Sequence, residues 1–332
     1  MLFRSMGVIV TNGDPTGLTK NTVAGADFQY SNLKFFGPDE RLQADAYGLR
    51  SYSNVRNDDT EWGIDTTFPN EPFSGEFHFK HIGEDFVPAL GFVNRRGIEQ
   101  YRSNWTYKER YRDPFFRLAE ITTINDVNYD LFGHLQSRDD TLGIGFTTTA
   151  GDTIRTHFHD AVENIRKKFF LPHHVPVPVG DYHWNYMHLH IDTSRSRPLT
   201  VFFDMDCCEF YNGHNFAPRI QYDYRPNETW SFNIQHDMQF IDLPTGSVNV
   251  QIGAIEVITN FSPDMTLRTQ VQYDNISQRF QLLMRYRWEY EPGQELFVAL
   301  GDNSVLNGPF FNPNYIADNT KALIRLGHTW QF

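Results

Sequence analysis

The sequence predicts an all-β protein, an antiparallel up-and-down transmembrane β-barrel of about 16–18 strands. Three observations predict it. Apolar and polar residues alternate with period two along the whole 332-residue chain. The alternating stretches reach ten residues or more, where a strand tilted by about 45° needs roughly 9–11 to cross a bilayer and globular strands run to about 5–6. Their connections alternate between long loops and tight turns, as in barrels with one long-looped end.

In chain order, "EWGIDTTF" sets Trp62, Ile64 and Phe68 against Glu61, Asp65 and Thr67, and the next strand sets Phe73, Phe77 and Phe79 against Glu76, His78 and Lys80. "NFAPRIQYDY" opposes Phe216, Ile220, Tyr222 and Tyr224 to Arg219, Gln221 and Asp223. In "WSFNIQHDMQF", Trp230, Phe232, Ile234, Met238 and Phe240 share a face, with Ser231, Asn233, Gln235, Asp237 and Gln239 on the other. A helix, with its 3.6-residue period, cannot separate them so. "FQLLMRYRWEY" repeats the pattern, Phe280, Leu282, Met284, Tyr286, Trp288 and Tyr290 opposing Gln281, Arg285, Arg287 and Glu289. The last strand is expected to turn Ile324, Leu326, Trp330 and Phe332 to lipid and Arg325 and Gln331 inward.

The long connections are "TNGDPTGLTKN", "SNVRNDD", "HIGEDFVPALGFVNRRG", "KKFFLPHHVPVPVG", "DLPTG" and "GDNSVLNGPFFNPNYIADN". The tight ones are "FGPDE", "FPNEP", "RYRDP", "AGD", "SRSRP", "RPNE", "FSPDM" and "EPGQ", rich in residues that favour turn dihedrals. This segmentation puts both chain ends on the tight-turn side, and no linker divides residues 1–332, which read as one domain.

Composition narrows the function. Aromatic residues make up 15% of a chain whose mean hydropathy is only -0.51, which suits strands with one apolar and one wet face. Rings near strand ends, among them Trp184, Tyr186, Trp230 and Trp288, are expected to form membrane-interface girdles. A soluble sandwich is the competing architecture, with shorter strands and a core between two sheets. A net charge of -12 without any basic stripe excludes nucleic acid as a partner. Cys207 and Cys208 are adjacent, a spacing at which a bridge is strained, and no CxxC metal knuckle occurs. No apolar run reaches the ~18–20 residues of a membrane helix. "MLFRSMGVIV" lacks the pattern of a secretory signal, so an exported protein would have its signal upstream of residue 1.

The ending "RLGHTWQF", through Arg325, Gly327, Trp330 and Phe332, resembles the C-terminal assembly signal of bacterial outer-membrane barrels. Residues 82–101, 177–213 and 261–300 resemble a bacterial outer-membrane barrel domain of unknown function that typically follows a carbohydrate-binding family-nine-like domain, with Gly-Glu-Asp-Phe…Pro…Gly-Phe…Arg-x-Gly as the most specific run. The resemblance implies an outer-membrane location, and an upstream signal peptide, carbohydrate-binding-like domain and early barrel strands; no catalytic residue carries over. The implied partners are the lipid bilayer and its lipopolysaccharide, the barrel-assembly machinery, and a saccharide or other small solute.

The candidate site is the loop around "FVPALGF", with His81, Glu84, Asp85, Arg95 and Arg96. It reads either as a charged constriction folded into the lumen or as a loop ordered by Glu84 and Asp85 pairing with Arg95 and Arg96. Arg219, Arg268, Arg285, Arg287 and Arg325 are expected to face acidic residues across the lumen. His157/His159 and His188/His190 each share a face, but no acidic partner stands at ligand spacing, while Asp204 and Asp206 read as lumen residues, so neither metal nor cofactor is expected. No GxSxG occurs, and an enzyme is not expected. The first functional reading is a passive or partner-assisted pore; the alternatives are a membrane anchor displaying or exporting an N-terminal domain, and an outer-membrane hydrolase.

Overall fold

A computed structural model describes residues 2–35, 37–38, 40–307 and 314–329. Its strands are β1 (Leu2–Asn12), β2 (Asn21–Asn32), β3 (Leu42–Ser53), β4 (Asp59–Phe68), β5 (Phe73–Ile82), β6 (Ile98–Arg110), β7 (Phe116–Asp130), β8 (Leu135–Thr148), β9 (Thr153–Ile165), β10 (Phe169–Leu171), β11 (Val175–Val177), β12 (Gly180–Asp192), β13 (Leu199–Phe210), β14 (Gly213–Tyr224), β15 (Trp230–Leu243), β16 (Gly246–Ser262), β17 (Met265–Asp274), β18 (Arg279–Glu291), β19 (Gln294–Asn307) and β20 (Asn314–His328). Eighteen form one antiparallel up-and-down sheet, and β10 and β11 form a separate small hairpin around a 3-10 turn at Pro172–His174. The expected class and strand number are therefore met. Contacts divide the chain into two compact units, one of Met1–Phe146, His157–Lys167 and Pro178–Tyr186, the other of Thr147–Thr156, Lys168–Val177 and Met187–Phe332.

Cross-strand register turns the period-two pattern into two continuous surfaces. In the first unit Phe28, Ala46, Ile64, Phe79, Tyr101 and Val127 stand in one row across β2 to β7. The adjacent row, on the other face, is Gln29, Asp45, Asp65, His78, Arg102 and Asp126. In the second unit Tyr222, Ile234, Ile255, Val271 and Leu282 form an apolar row beside Gln221, Gln235, Ala254, Gln272 and Gln281. A slip of one residue in any ladder would exchange the faces, so the pattern fixes the register.

The turns depart from expectation at several points: β19 runs to Asn307 and β20 begins at Asn314, so most of the expected long connection at 301–319 is strand, while the expected tight turn "FGPDE" falls in a longer connection between Asn32 and Leu42. "DLPTG" is a tight turn, because β15 runs to Leu243 and β16 begins at Gly246, whose φ of 141° is open to glycine alone. Among the described residues, the long-loop end therefore concentrates its length in two segments, 83–97 and 166–179.

Each of these loops covers an apolar patch on the otherwise polar face. In the first unit Phe86 is fully buried with Val23, Ile82 and Ile98, flanked by Leu49 and Val93. In the second, Val175 and Val177 are buried, as are Ile241, Leu243 and Val248 on β15 and β16, and Thr245 Oγ1 donates to Pro176 O at 2.7 Å.

Candidate functional site

Loop 83–97 is clamped to the polar face of β2, β3 and β4 by side chains that the strand pattern places there. Asn21 is 3% exposed; its amide donates to Val87 O at 2.7 Å and its Oδ1 accepts from Ala89 N at 3.1 Å. Ser51, 0% exposed, accepts from Val87 N at 3.1 Å, and Asp59 accepts from Asp85 N at 2.9 Å. Loop backbone groups that would otherwise be buried unpaired thus bond to the wall, while Phe86 supplies apolar burial. Glycine is required where the chain leaves β5: a Cβ on Gly83 would meet Asp59 Oδ1 at 2.0 Å.

The predicted loop residues are distributed along this clamp. Asp85 lies 3.3 Å from Arg56 Nη1 and accepts from Asn57 Nδ2 at 2.6 Å; Arg95 donates to Ser137 Oγ at 3.1 Å and lies 3.8 Å from Glu163. Glu84 lies beside Gly97, and Arg96 is exposed. The expected pairing of Glu84 and Asp85 with Arg95 and Arg96 is thereby replaced by pairing of Asp85 with the β3–β4 connection and of Arg95 with β8 and β9. His81 stands apart from the constriction reading: strand parity puts it with Phe77 and Phe79, stacked on Trp62 at 5.6 Å and 3.3 Å from Glu99.

Beside Arg95 is a cavity of about 500 Å³ lined by Arg102, Asp126, Asn128, Ser137, Asp139, His159, Glu163 and Trp184, among others. Its polar groups are pre-oriented. Gln100 and Asn128 each donate to Asp126 at 3.0 Å, His159 Nδ1 lies 2.9 Å from Asp139, and Tyr186 OH donates to Asp139 at 2.7 Å. Tyr186 and His159 stack with ring centroids 4.1 Å apart. Trp184 is 8% exposed, and with Tyr186 it shares the polar face, so neither belongs to the expected girdle. Alternation in β12 was legible in the sequence; which face each ring occupied needed the register. Mixed donors and acceptors beside aromatic rings suit a small hydroxylated ligand.

In the second unit the arginines bond within the wall. Arg219 Nε donates to Asp237 at 2.7 Å, Arg268 lies 2.7 Å from Glu256, and Arg287 lies 3.0 Å from both Glu289 and Glu295. Arg325 reaches Glu295 at 2.5 Å and lies over the Phe297 ring. Arg285 stands between Arg268 and Ala299 in the register. Gly327 faces Glu295, where a Cβ would meet Cγ at 3.1 Å, so its bareness leaves room for the carboxylate that Arg287 and Arg325 share. Ile324 and Leu326 lie on the opposite, apolar face. Trp330, Gln331 and Phe332 lie outside the described residues.

Two further expectations change. Cys207 and Cys208 form a vicinal disulfide, the Cα atoms 3.7 Å apart, with Cys208 at φ 103° so that neighbouring side chains meet instead of alternating. His188 and His190 have acidic partners in Asp204 and Asp206, supplied by the next strand at a sequence distance that hides them.

Neither a family model nor any curated protein matches the chain. Solved structures do. The open form of the ferric-catecholate import receptor Fiu from E. coli K12 is similar over 99% of this chain and 70% of its own, with a TM-score of 0.51 and 11% identity. The copper transporter OprC matches at a TM-score of 0.48 and 9% identity, over 98% of this chain and 67% of its own. At these identities the likeness to Fiu speaks for fold. An eighteen-stranded antiparallel meander with an apolar row across the ladders of each unit, in the fold of that receptor, is an outer-membrane β-barrel, and the bacterial outer membrane is its location.

Proposed function

We propose that the barrel passes a small hydrophilic solute through the outer membrane, with loop 83–97 as the constriction and the adjoining cavity as a binding step. The observation that carries this reading is the docking of the loop onto the polar face by Asn21, Ser51, Asp59 and Phe86, with Arg95 at the cavity edge. A loop serving only to connect β5 and β6 needs no such anchoring. The import function printed for Fiu is consistent with it. A saccharide is the solute class we favour: hydroxyls can bond to Asp126, Asn128 and Asp139, and the sequence resembles barrels that follow a carbohydrate-binding-like domain.

Liposome swelling and planar-bilayer conductance test the reading on the refolded full chain. Expected are solute-dependent swelling with small sugars and a conductance raised by Arg95→Gln, which frees the loop edge from Ser137 and Glu163. A folded barrel without conductance or swelling would leave the membrane-anchor reading in its place.

A further inference from the structure

Outside the saccharide cavity, the polar face of the second unit carries a second constellation. His188 and His190 lie two residues apart on β12 and so share a face, and Asp204 and Asp206 do the same on β13. His190 Nδ1 lies 3.0 Å from Asp204 Oδ1, His188 Nε2 lies 3.2 Å from the same oxygen, and one donor atom from each of these three residues falls within 4.8 Å of the others. Ligands about 2.0–2.2 Å from a zinc ion in a tetrahedral shell stand roughly 3.3–3.5 Å apart. Two of the three separations lie close to that spacing, and rotation of the imidazoles about their side-chain bonds would bring the third pair, within 4.8 Å, around a common ion.

The surroundings orient the donors as in metal centres. His188 Nδ1 lies 2.7 Å from Asp206 Oδ1; with Nδ1–H donating to Asp206, the Nε2 lone pair is directed towards Asp204. Phe202 sets its ring edge-on to His190 at 5.2 Å, fixing that imidazole. Arg219 is opposite Asp204 in the register, yet its guanidinium bonds to Asp237 at 2.7 Å. The neighbouring cation thus has its own carboxylate, and Asp204 keeps its charge for the histidines. The three side chains are about a quarter exposed, which lets an ion enter without leaving the donors fully hydrated.

We propose that His188, His190 and Asp204 bind one divalent transition-metal ion, with Asp206 as the residue that positions His188. Two imidazoles and one carboxylate favour zinc, copper or cobalt over calcium or magnesium, which prefer oxygen shells. Three protein ligands leave a coordination position for water or a passing ligand, as in exchangeable rather than closed structural sites. The site stands whether or not the barrel conducts a saccharide.

Co²⁺ titration of the refolded full chain in detergent, without a polyhistidine tag, tests the proposal. Expected is a saturable visible absorption at one equivalent, abolished by one equivalent of Zn²⁺. Asp204→Asn and His190→Gln should each weaken binding by at least ~10-fold, and Asp206→Asn by about 10–100-fold through its hold on His188. His157→Gln should leave the titration unchanged. Wild-type protein with no saturable Co²⁺ signal would overturn the proposal whatever the variants do. So would a signal that survives His188→Gln/His190→Gln in protein whose gel migration still shifts on heating.

Discussion

Asp14, in the loop between β1 and β2, organises its surroundings as a hydrogen-bond acceptor. Its carboxylate accepts from Thr19 Oγ1 at 2.5 Å, Thr16 N at 2.9 Å, Thr16 Oγ1 at 2.8 Å and Thr19 N at 3.1 Å. The Thr19 hydroxyl first, then the Thr16 amide and hydroxyl, hold the carboxyl at about 2, below its ordinary 3.8. A folded-state value below the unfolded one means that the loop's order is present above about pH 4 and is lost as pH falls through about 2. Hydrogen exchange at Thr16 and Thr19, corrected for the intrinsic rate, should stay protected at neutral pH and lose protection over that range. In Asp14→Ala protection should be absent throughout; an unchanged profile would remove Asp14 from this role. Residue roles of this local kind are legible in a sequence such as "DPTGLT", where partners lie two and five positions away. The partners of Asp85 are not: Arg56 and Asn57 lie 29 and 28 positions back, and meet it only because β3, β4 and β5 pair in one register.

Loop 83–97 shows the same division at the scale of an element. Its length and charge marked it in the sequence, but the feature that seats it, burial of Phe86, sits in an apolar run that a sequence reads equally well as exposed loop. The seat itself was hidden because Val23, Leu49 and Ile82 interrupt strand faces that are polar elsewhere, and only the folded loop explains the interruption. Phe86→Ala should remove about 3–5 kcal/mol from the docked state, as typical of a large aromatic truncated in a closed pocket. The barrel's own ladders do not include Phe86, so the variant should fold with an unchanged heat-induced gel shift. Trypsin cleavage after Arg95 or Arg96 should become faster. Equal cleavage in variant and parent would mean that the polar clamps alone hold the loop.

For the whole molecule, strand number and class were readable because period-two alternation is a local property repeated along the chain, whereas the direction of each face is a statement about the medium. Two continuous surfaces run across the ladders, and large apolar side chains on one of them, Ile234 and Ile255 among them, are 44% and 49% exposed. In water such a surface would be an aggregation hazard; against lipid it is the solvated face. Neighbouring positions can separate these media. Ile255, in the middle of β16, lies in the apolar row, and Gln235, on β15 opposite Ala254 of β16, lies in the polar one. Ile255→Arg should cost about 2–4 kcal/mol if the site is near the bilayer midplane, and should depress refolding into phospholipid vesicles. Gln235→Lys, which keeps Asp237 as a neighbour that already accepts from residue 235 at 2.8 Å, should refold like the parent. The yield of heat-modifiable, protease-protected protein after dilution from urea into vesicles measures both. Equal yields for the two variants, or a parent that stays monomeric in buffer without lipid or detergent, would mean that the apolar rows face protein and not a membrane.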